Sequence, residues 1–287
     1  MIYRRRRSPL HAARAASACA YCLALACAAL LVSGPAALSA VTLAIAGAGA
    51  LAGVGPELRR AARLALPAAL AIALINALVT RDGLTVIARL GDLPVLGHTD
   101  VTLEATVYGG VLGLRAAALV LCGALYTAAV DPDQVLRLFR RVSFHSALTA
   151  TLATRMVPVL VRDSRRLAEA QRCRPGPPPS RLALMRAATA GVLDRALDVA
   201  AALEVRGYAA AHKPPRHRAP MSRHDIAFAL SAAGVAALAV SARVAGLAPL
   251  HAYPSLRVPL GAVQWLSGAA MLACALLPFA DRRGLER

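Results

Sequence analysis

Three arginines in this chain stand where helices are predicted to end. Arg172 and Arg174 precede a Pro-Gly pair that ends at Gly176, and Arg206 precedes Gly207. A guanidinium at such a position can hold a carboxylate of another protein through two parallel hydrogen bonds. It can also simply complement the helix dipole, which stabilises a helix by about 0.3–1 kcal/mol. Composition alone favours the helix-dipole interpretation, since basic residues are common at helix ends.

Other catalytic and metal-binding patterns are weak. A P-loop needs a lysine after a glycine-rich turn, but the one lysine, Lys213, stands in His-Lys-Pro. No G-x-S-x-G nucleophile motif is present. The three histidines of residues 212–224 lack the acidic or cysteine partners of a zinc site, and Cys19 and Cys22 lie in an apolar run. We therefore expect no catalytic residue, no metal site and no cofactor.

Membrane helices are the elements that must position the arginines. The sequence is 58% hydrophobic, whereas soluble domains average about 45–50%. The excess lies in runs of about 20 residues with few or no charges, the length that crosses a bilayer. Six candidate spans cover approximately residues 16–33, 36–54, 63–80, 107–130, 225–243 and 259–279. We predict an all-α integral membrane protein with about six transmembrane helices.

A long polar segment, residues 131–224, separates the fourth and fifth spans. A Pro-Gly-Pro-Pro-Pro run divides it into two helical parts, and an apolar stripe with three- and four-residue spacing marks the second, residues 181–206. The stripe consists of Leu182, Met185, Thr189, Val192, Leu193, Ala196, Val199 and Leu203. We interpret it mainly as packing within the segment. The predicted organisation is a membrane part (1–130), cytoplasmic helices (131–224) and a second membrane part (225–287).

Positive charge predicts the orientation in the membrane. With the N-terminus in the cytoplasm, 28 of the 33 Lys and Arg residues fall in cytoplasmic tails and loops, including Arg59, Arg60 and Arg63 of the first loop. Cytoplasmic loops retain such residues. We predict a multi-pass protein of the bacterial cell (inner) membrane with both termini in the cytoplasm. Nucleic-acid binding is not expected, because no basic stripe is interleaved with stacking aromatics.

Arg115 is the notable charge inside a predicted span. Spans two, three, five and six carry no ionisable residue in their interiors, whereas a secondary transporter places such groups at mid-membrane. Arg115 is either a functional charge or a packing residue paired with a polar group of the bundle. A stand-alone secondary transporter or channel stays an alternative. A lipid-modifying membrane enzyme is a weaker one, because paired acid clusters are lacking.

Four further stretches carry motifs of one family. Residues 8–11 read Ser-Pro-Leu-His, residues 76–78 read Asn-Ala-Leu, residues 102–109 contain Thr-Leu-Glu-Ala and Tyr-Gly, and residues 113–115 read Gly-Leu-Arg. With the two arginine motifs, they resemble the T component of energy-coupling-factor (ECF) transporters, the coupling subunits of cobalt, nickel and biotin importers. The chain departs from the family pattern at Ala77, where proline is usual.

The resemblance implies a transmembrane coupling subunit of an ECF-type ABC importer for a vitamin or a transition metal ion. Its partners would be two ABC-type ATPase subunits, which hydrolyse the ATP, and a separate substrate-binding membrane subunit. The implied ATPase-docking residues on the two coupling helices are Arg174, Arg206, Arg172, Gly207 and Gly176. Pro175 stands where the family has a glycine. Arg115 follows its motif at the place that the resemblance predicts.

Overall fold

The structure is a computed structural model, and it describes residues 6–80, 85–93, 97–139, 144–173, 175, 180–207, 221–245 and 261–281. The chain forms two compact units. The first, which we call the membrane unit, comprises Met1–Val135 and Met221–Arg287. The second, the helical-hairpin unit, comprises Leu136–Pro220.

Helices make up most of the described chain. In chain order they are α1 (Pro9–Ala12), α2 (Ala15–Leu31), α3 (Pro35–Leu51), α4 (Gly55–Val79), α5 (Leu103–Ala129), α6 (Pro132–Phe139), α7 (Phe144–Arg172), α8 (Arg181–Val205), α9 (Arg223–Val244) and α10 (Ala262–Leu276), with a 3-10 turn at Leu277–Phe279. Four are long and apolar enough to cross a membrane, namely α4, α5, α9 and α10 with its turn, and α2 and α3 are shorter apolar helices. The predicted helical membrane protein is confirmed.

A β-hairpin connects α4 to α5, and the sequence analysis did not predict it. Strand β1 (Val86–Leu93) pairs antiparallel with β2 (Gly97–Thr102), and register shifts interrupt the ladder. Val86 lies opposite Thr102, the residue that also caps α5. The hairpin therefore ends where the fourth span begins.

Helix α4 begins at Gly55, well ahead of the predicted start of the third span at residue 63. A proline in the first turn is pre-organised for a helix start, and an acidic residue there favours the helix dipole; Pro56 and Glu57 occupy these positions. The arginines assigned to a loop, among them Arg59 and Arg63, consequently lie on the first turns of α4.

Close packing of α4 against α5 depends on two glycines of α5. A Cβ added to Gly109 would lie 2.7 Å from the carbonyl oxygen of Ala73, and one added to Gly113 would lie 2.5 Å from that of Ala69. Both distances are shorter than van der Waals contact allows. Glycines four residues apart on one helix face let the backbones of membrane helices approach closely.

An aromatic cluster joins the first span to the last two. The rings of Tyr21, Phe228 and Phe279 meet edge to face, with centroid separations of 5.2, 6.3 and 5.2 Å. The Tyr21 hydroxyl donates to the carbonyl of Ala275 at 2.9 Å. A buried hydroxyl needs such a partner. Segments from opposite ends of the chain thus share one core in the membrane unit.

The helical-hairpin unit contains α7 and α8, which contact each other, and the last residues of α6. Half-buried residues recur along α8 at three- and four-residue spacing, and they identify the face packed on α7. They are Ala188, Val192, Arg195, Val199 and Leu203. The predicted apolar stripe is therefore only partly correct. Val192, Val199 and Leu203 pack as expected, but Leu182 and Met185 are exposed, so the stripe is wider than the contact face.

Candidate functional site

Arg206 caps the C-terminus of α8 and is exposed. Its N–H donates to the carbonyl of Ala202 at 3.3 Å, and Gly207 N–H donates to that of Glu204 at 2.9 Å. Gly207 has φ +70°, a left-handed conformation that glycine adopts without a Cβ penalty and that ends helices. The helix therefore ends at this point, and Arg206 is an exposed residue at its C-terminus.

The first arginine motif is described in part. Arg172 is the last residue of α7 and is exposed, and Cys173 N–H donates to the carbonyl of Glu169 at 3.3 Å. Arg174 and Gly176 lie outside the described residues. Among the residues that the structure does describe, neither Arg172 nor Arg206 has a hydrogen-bond or ion-pair partner.

An ion pair sets the direction of α8 relative to α7: Arg195 Nη1 lies 2.8 Å from Asp163 Oδ2. At 1.5 Å per residue, Asp163 lies roughly 14 Å before the end of α7 and Arg195 roughly 21 Å after the start of α8. If the helices were parallel, the end of α7 and the start of α8 would lie roughly 35 Å apart along the pair. The connection between Arg172 and Arg181 has about nine residue steps and can span only roughly 32 Å. The helices are therefore antiparallel.

The antiparallel arrangement separates the two arginine-bearing helix ends. Arg172 lies on one side of the Asp163–Arg195 pair and Arg206 on the other, so the two positions are roughly 30 Å apart along the hairpin. Each exposed guanidinium can accept a carboxylate in a bidentate pair. An antiparallel pair of helices with an exposed arginine at the C-terminal end of each can therefore contact two separate acidic surfaces.

Arg115 has a polar partner inside the membrane unit. Its Nη2 donates to the carbonyl of Val32 at 2.9 Å, at the C-terminal end of α2. The last carbonyls of a helix lack intrahelical donors and carry the negative end of the dipole. This contact supports the packing interpretation of Arg115, because the charge compensates a helix end within the bundle.

A buried carboxylate joins the starts of α2 and α9. Asp225 is 5% exposed and accepts from Arg14 N–H at 2.6 Å, while Arg14 Nε lies 3.2 Å from its other oxygen. Asp225 also completes a capping box with Ser222, whose N–H donates to it at 2.9 Å. One carboxylate thus caps two helices and pairs with a guanidinium.

The start of α6 reaches the same place. Gln134 Oε1 accepts from Ala15 N–H at 3.4 Å, and its Nε2 donates to Asp131 at 3.2 Å. Asp131 also accepts from Asp133 N–H at 3.0 Å, so it caps α6. The chain leaves the membrane unit after Val135 and rejoins it at Met221. Both points are therefore anchored on the start of α2, and we call this contact set the polar junction.

The other resembling motifs occupy buried turns. His11 is 7% exposed, its Nδ1 lies 2.7 Å from Ser8 Oγ, and its ring is hydrogen-bonded to the carbonyl of Ala128. Burial, with a smaller contribution from Arg6, lowers the pKa of His11, and the Ala128 carbonyl partly opposes this shift. A buried neutral imidazole therefore lies where α1 meets the end of α5.

The Thr-Leu-Glu-Ala motif closes the β-hairpin onto α5. Thr102 Oγ1 accepts from Ala105 N–H at 3.3 Å, which caps the helix. Glu104 is 2% exposed, and its carboxylate oxygens lie 3.2 and 3.3 Å from Thr85 N–H. Across the described ranges, His, Cys, Asp and Glu do not gather into a group of three that could hold a metal ion.

The sequence analysis missed Asp225 and Arg14. The pattern Ser222-Arg-His-Asp225 before an apolar run is a recognisable capping box, so the carboxylate could have been found as a cap. Its contact with Arg14 spans 211 positions of the chain. No local pattern encodes that pairing.

A known protein family matches most of the chain. The profile of the CbiQ family, described as cobalt transport protein, matches residues 6–216. The match includes α1 to α8 and both arginine motifs. No curated protein matches the chain. Since the matched region exceeds half of the sequence, the chain is a multi-pass membrane transport protein that belongs to the cobalt transport protein family, the T components of ECF transporters.

Proposed function

We propose that this chain is the transmembrane coupling subunit of an ECF-type ABC importer for a transition metal ion, such as cobalt, or a vitamin. The observation that carries the proposal is the antiparallel helical hairpin with an unpaired, exposed arginine at the end of each described helix. The family match supports it. Residues 131–224 act as coupling helices in the cytoplasm, and residues 1–130 and 225–287 form the membrane parts.

Two ATPase subunits bind the two ends of the hairpin. Arg206 and Gly207 form one docking site, and Arg172, Arg174 and Gly176 form the other. Their separation of roughly 30 Å along the hairpin suits two separate partners. Each arginine pairs with a carboxylate on its ATPase, and the ATPases, not this chain, hydrolyse ATP.

The polar junction transmits movement from the hairpin to the spans. Packing and the Asp163–Arg195 pair hold α7 and α8 together as one lever. Gln134 and Asp225 hold the parts of the membrane unit that adjoin both ends of the hairpin segment to the start of α2, so the proposed path of the movement runs through the first span. A separate substrate-binding membrane subunit then follows the movement. The complex lies in the bacterial inner membrane with both termini of this chain in the cytoplasm.

Co-purification with the two ATPases encoded nearest to this chain tests the proposal. Wild type should retain both ATPases, and Arg174→Glu and Arg206→Glu should lose them. Arg186→Glu is a matched control, because Arg186 is an exposed arginine in the body of α8. Removing one member of a desolvated interfacial ion pair costs about 2–5 kcal/mol, so the effect is large. If wild type captures neither ATPase, or if Arg186→Glu loses them equally, the docking proposal is wrong.

A further inference from the structure

Three exposed arginines occupy the first turns of α4, at the end of the helix where Arg6 contacts Glu57. They are Arg59, Arg60 and Arg63. Glu57 is the acidic residue of this first turn, and Arg6 already pairs with it. Within the described part of the chain, the three guanidinium groups have no hydrogen-bond or ion-pair partner. The protein thus leaves three positive charges uncompensated at one end of a span.

The arginines share a helix face with an exposed apolar row. Positions 59, 63, 66, 70 and 74 follow three- and four-residue spacing and fall along one side of α4. Leu66, Leu70 and Leu74 are 66, 70 and 58% exposed. The surface therefore carries cationic groups above a continuous strip of leucines. We call these residues, together with Arg60, the α4 face.

The level of the arginines in the bilayer follows from helix length. Arg63 lies sixteen residues before Val79, the end of α4, which is about 24 Å at 1.5 Å per residue. A hydrocarbon core is about 30 Å thick. With Val79 at the far boundary of this core, Arg59 and Arg60, about 28–30 Å away, lie at the near boundary with the headgroups. Arg63 lies about 6 Å inside the core, and its long side chain extends to the headgroups.

We propose that the α4 face is a binding site for an anionic phospholipid. Lipid phosphates are the anions present at this level, and a guanidinium holds a phosphate through two parallel hydrogen bonds. Basic residues beside a membrane favour anionic over zwitterionic lipids. The acyl chains of the lipid lie along Leu66, Leu70 and Leu74. The assignment is independent of the coupling function, because it concerns the membrane unit alone.

The test is native mass spectrometry of the full-length protein in detergent with phosphatidylglycerol and phosphatidylcholine added together. Wild type should retain phosphatidylglycerol in clear preference to phosphatidylcholine. The triple variant Arg59→Gln, Arg60→Gln, Arg63→Gln should lose that preference by about tenfold or more, given the attraction of each basic residue near a membrane surface. The triple lysine variant at the same positions should lose only part of the preference for phosphatidylglycerol. Ammonium groups keep the positive charge but cannot hold a phosphate through two parallel hydrogen bonds.

A matched control removes three exposed arginines elsewhere. The variant Arg155→Gln, Arg162→Gln, Arg166→Gln changes the net charge equally, on one side of α7, and should keep the preference. Equal loss in this control means that net charge alone attracts the lipid, and the proposal is then wrong. It is also wrong if wild type binds both lipids equally while the α4 variant loses the substrate-binding subunit, because the α4 face is then a protein interface. If the glutamine variant aggregates, the lysine variant replaces it in the test. The proposal is then wrong if the lysine variant prefers phosphatidylglycerol as strongly as wild type does.

Discussion

Gly113 sets the distance between α4 and α5 by the absence of a side chain. We predict that Gly113→Ala destabilises the protein by about 1–3 kcal/mol, the usual cost of inserting a methyl group into a packed contact. The added Cβ would meet the carbonyl oxygen of Ala69 at 2.5 Å, and backbone cannot rotate away as a side chain can. The midpoint of thermal unfolding in detergent measures the effect.

Gly110 supplies the control for this prediction, since it lies on the same helix with nothing within 4 Å of an added Cβ. Alanine has the higher helix propensity by about 0.8–1 kcal/mol, so Gly110→Ala should leave stability unchanged or raise it. If Gly113→Ala unfolds at the same temperature as Gly110→Ala, the close approach of α4 and α5 is incorrect.

His11 makes stability depend on pH in a defined window. Burial lowers the pKa of His11 below the 6.5 of an exposed histidine. The unfolded chain therefore binds more protons than the folded chain in the pH range between the folded-state pKa and 6.5. This contribution to stability is complete above pH 6.5 and is lost as the pH falls through the folded-state pKa. Thermal unfolding between pH 7.5 and pH 5 should show the loss.

The variant His11→Gln keeps a polar side chain but cannot titrate. Its unfolding temperature should change less than that of wild type between pH 7.5 and pH 5. Ser8 and the carbonyl of Ala128 can still receive a hydrogen bond from the amide. Identical pH profiles for the two proteins would show that other groups cause the dependence.

At the scale of elements, Asp225 joins the starts of α2 and α9 through its contacts with Arg14 and Ser222. We predict that Asp225→Ala destabilises the membrane unit by about 1–3 kcal/mol, because the part-buried N–H groups of Arg14 and Ser222 lose their acceptor and the Arg14 guanidinium loses its partner. Unfolding in detergent measures this loss. In the coupled complex, the same variant should slow substrate uptake more than it slows ATP hydrolysis, because the proposed function routes movement through the polar junction to α2.

Asp198 offers the matched control, since it is an exposed aspartate of α8. Asp198→Ala should change the free energy of unfolding by no more than about 0.5 kcal/mol in either direction, as is usual for surface positions. Equal destabilisation by the two variants would mean that the polar junction has no special role in the membrane unit.

The elements differ in how far the sequence alone predicts them. The six apolar helices follow from runs of Ala, Leu and Val, because length and apolarity suffice for a span. The strands of the β-hairpin do not follow from the sequence in this way. Short apolar runs with Gly91 and Pro94 nearby are compatible with a strand or with a short helical segment. Helix α4 begins earlier than the sequence predicts, because arginines such as Arg59 and Arg63 are typical of loops beside a span. A helix can carry arginines in its first turns when their heads extend to the headgroups.

The candidate sites show the same limit. Arg206 and Gly207 are readable from local sequence, because a glycine after an arginine at a helix end has a direct conformational meaning. The partners of Arg115 and Asp225 cannot be identified from local sequence, since Val32 and Arg14 lie far away from them in the chain. Tertiary packing determines such contacts, and the periodicity of one helix does not specify how that helix packs against another.

At the scale of the whole membrane unit, the contacts bring its basic segments to one end of the bundle. Arg6 contacts Glu57 at the start of α4, and Arg14 contacts Asp225 at the start of α9. The C-terminal turn Leu277–Phe279 contacts α1. The starts of α4 and α9 and the end of α10, which adjoin basic segments, therefore lie at the same end of the membrane unit, as the charge distribution predicts. Which side faces the cytoplasm follows from the positive-inside rule and stays a prediction.

Cys173 gives a direct measurement of that orientation. It is exposed beside Arg172, whereas the remaining cysteines lie within α2, α5 and α10. A membrane-impermeant maleimide should label Cys173 in inverted membrane vesicles but not in intact spheroplasts, because a cytoplasmic thiol is shielded from outside. Cys173→Ser identifies the band that depends on this residue. Labelling in intact spheroplasts would place the helical hairpin outside the cell, where ATPases cannot reach Arg206, and both the orientation and the coupling function would then be wrong.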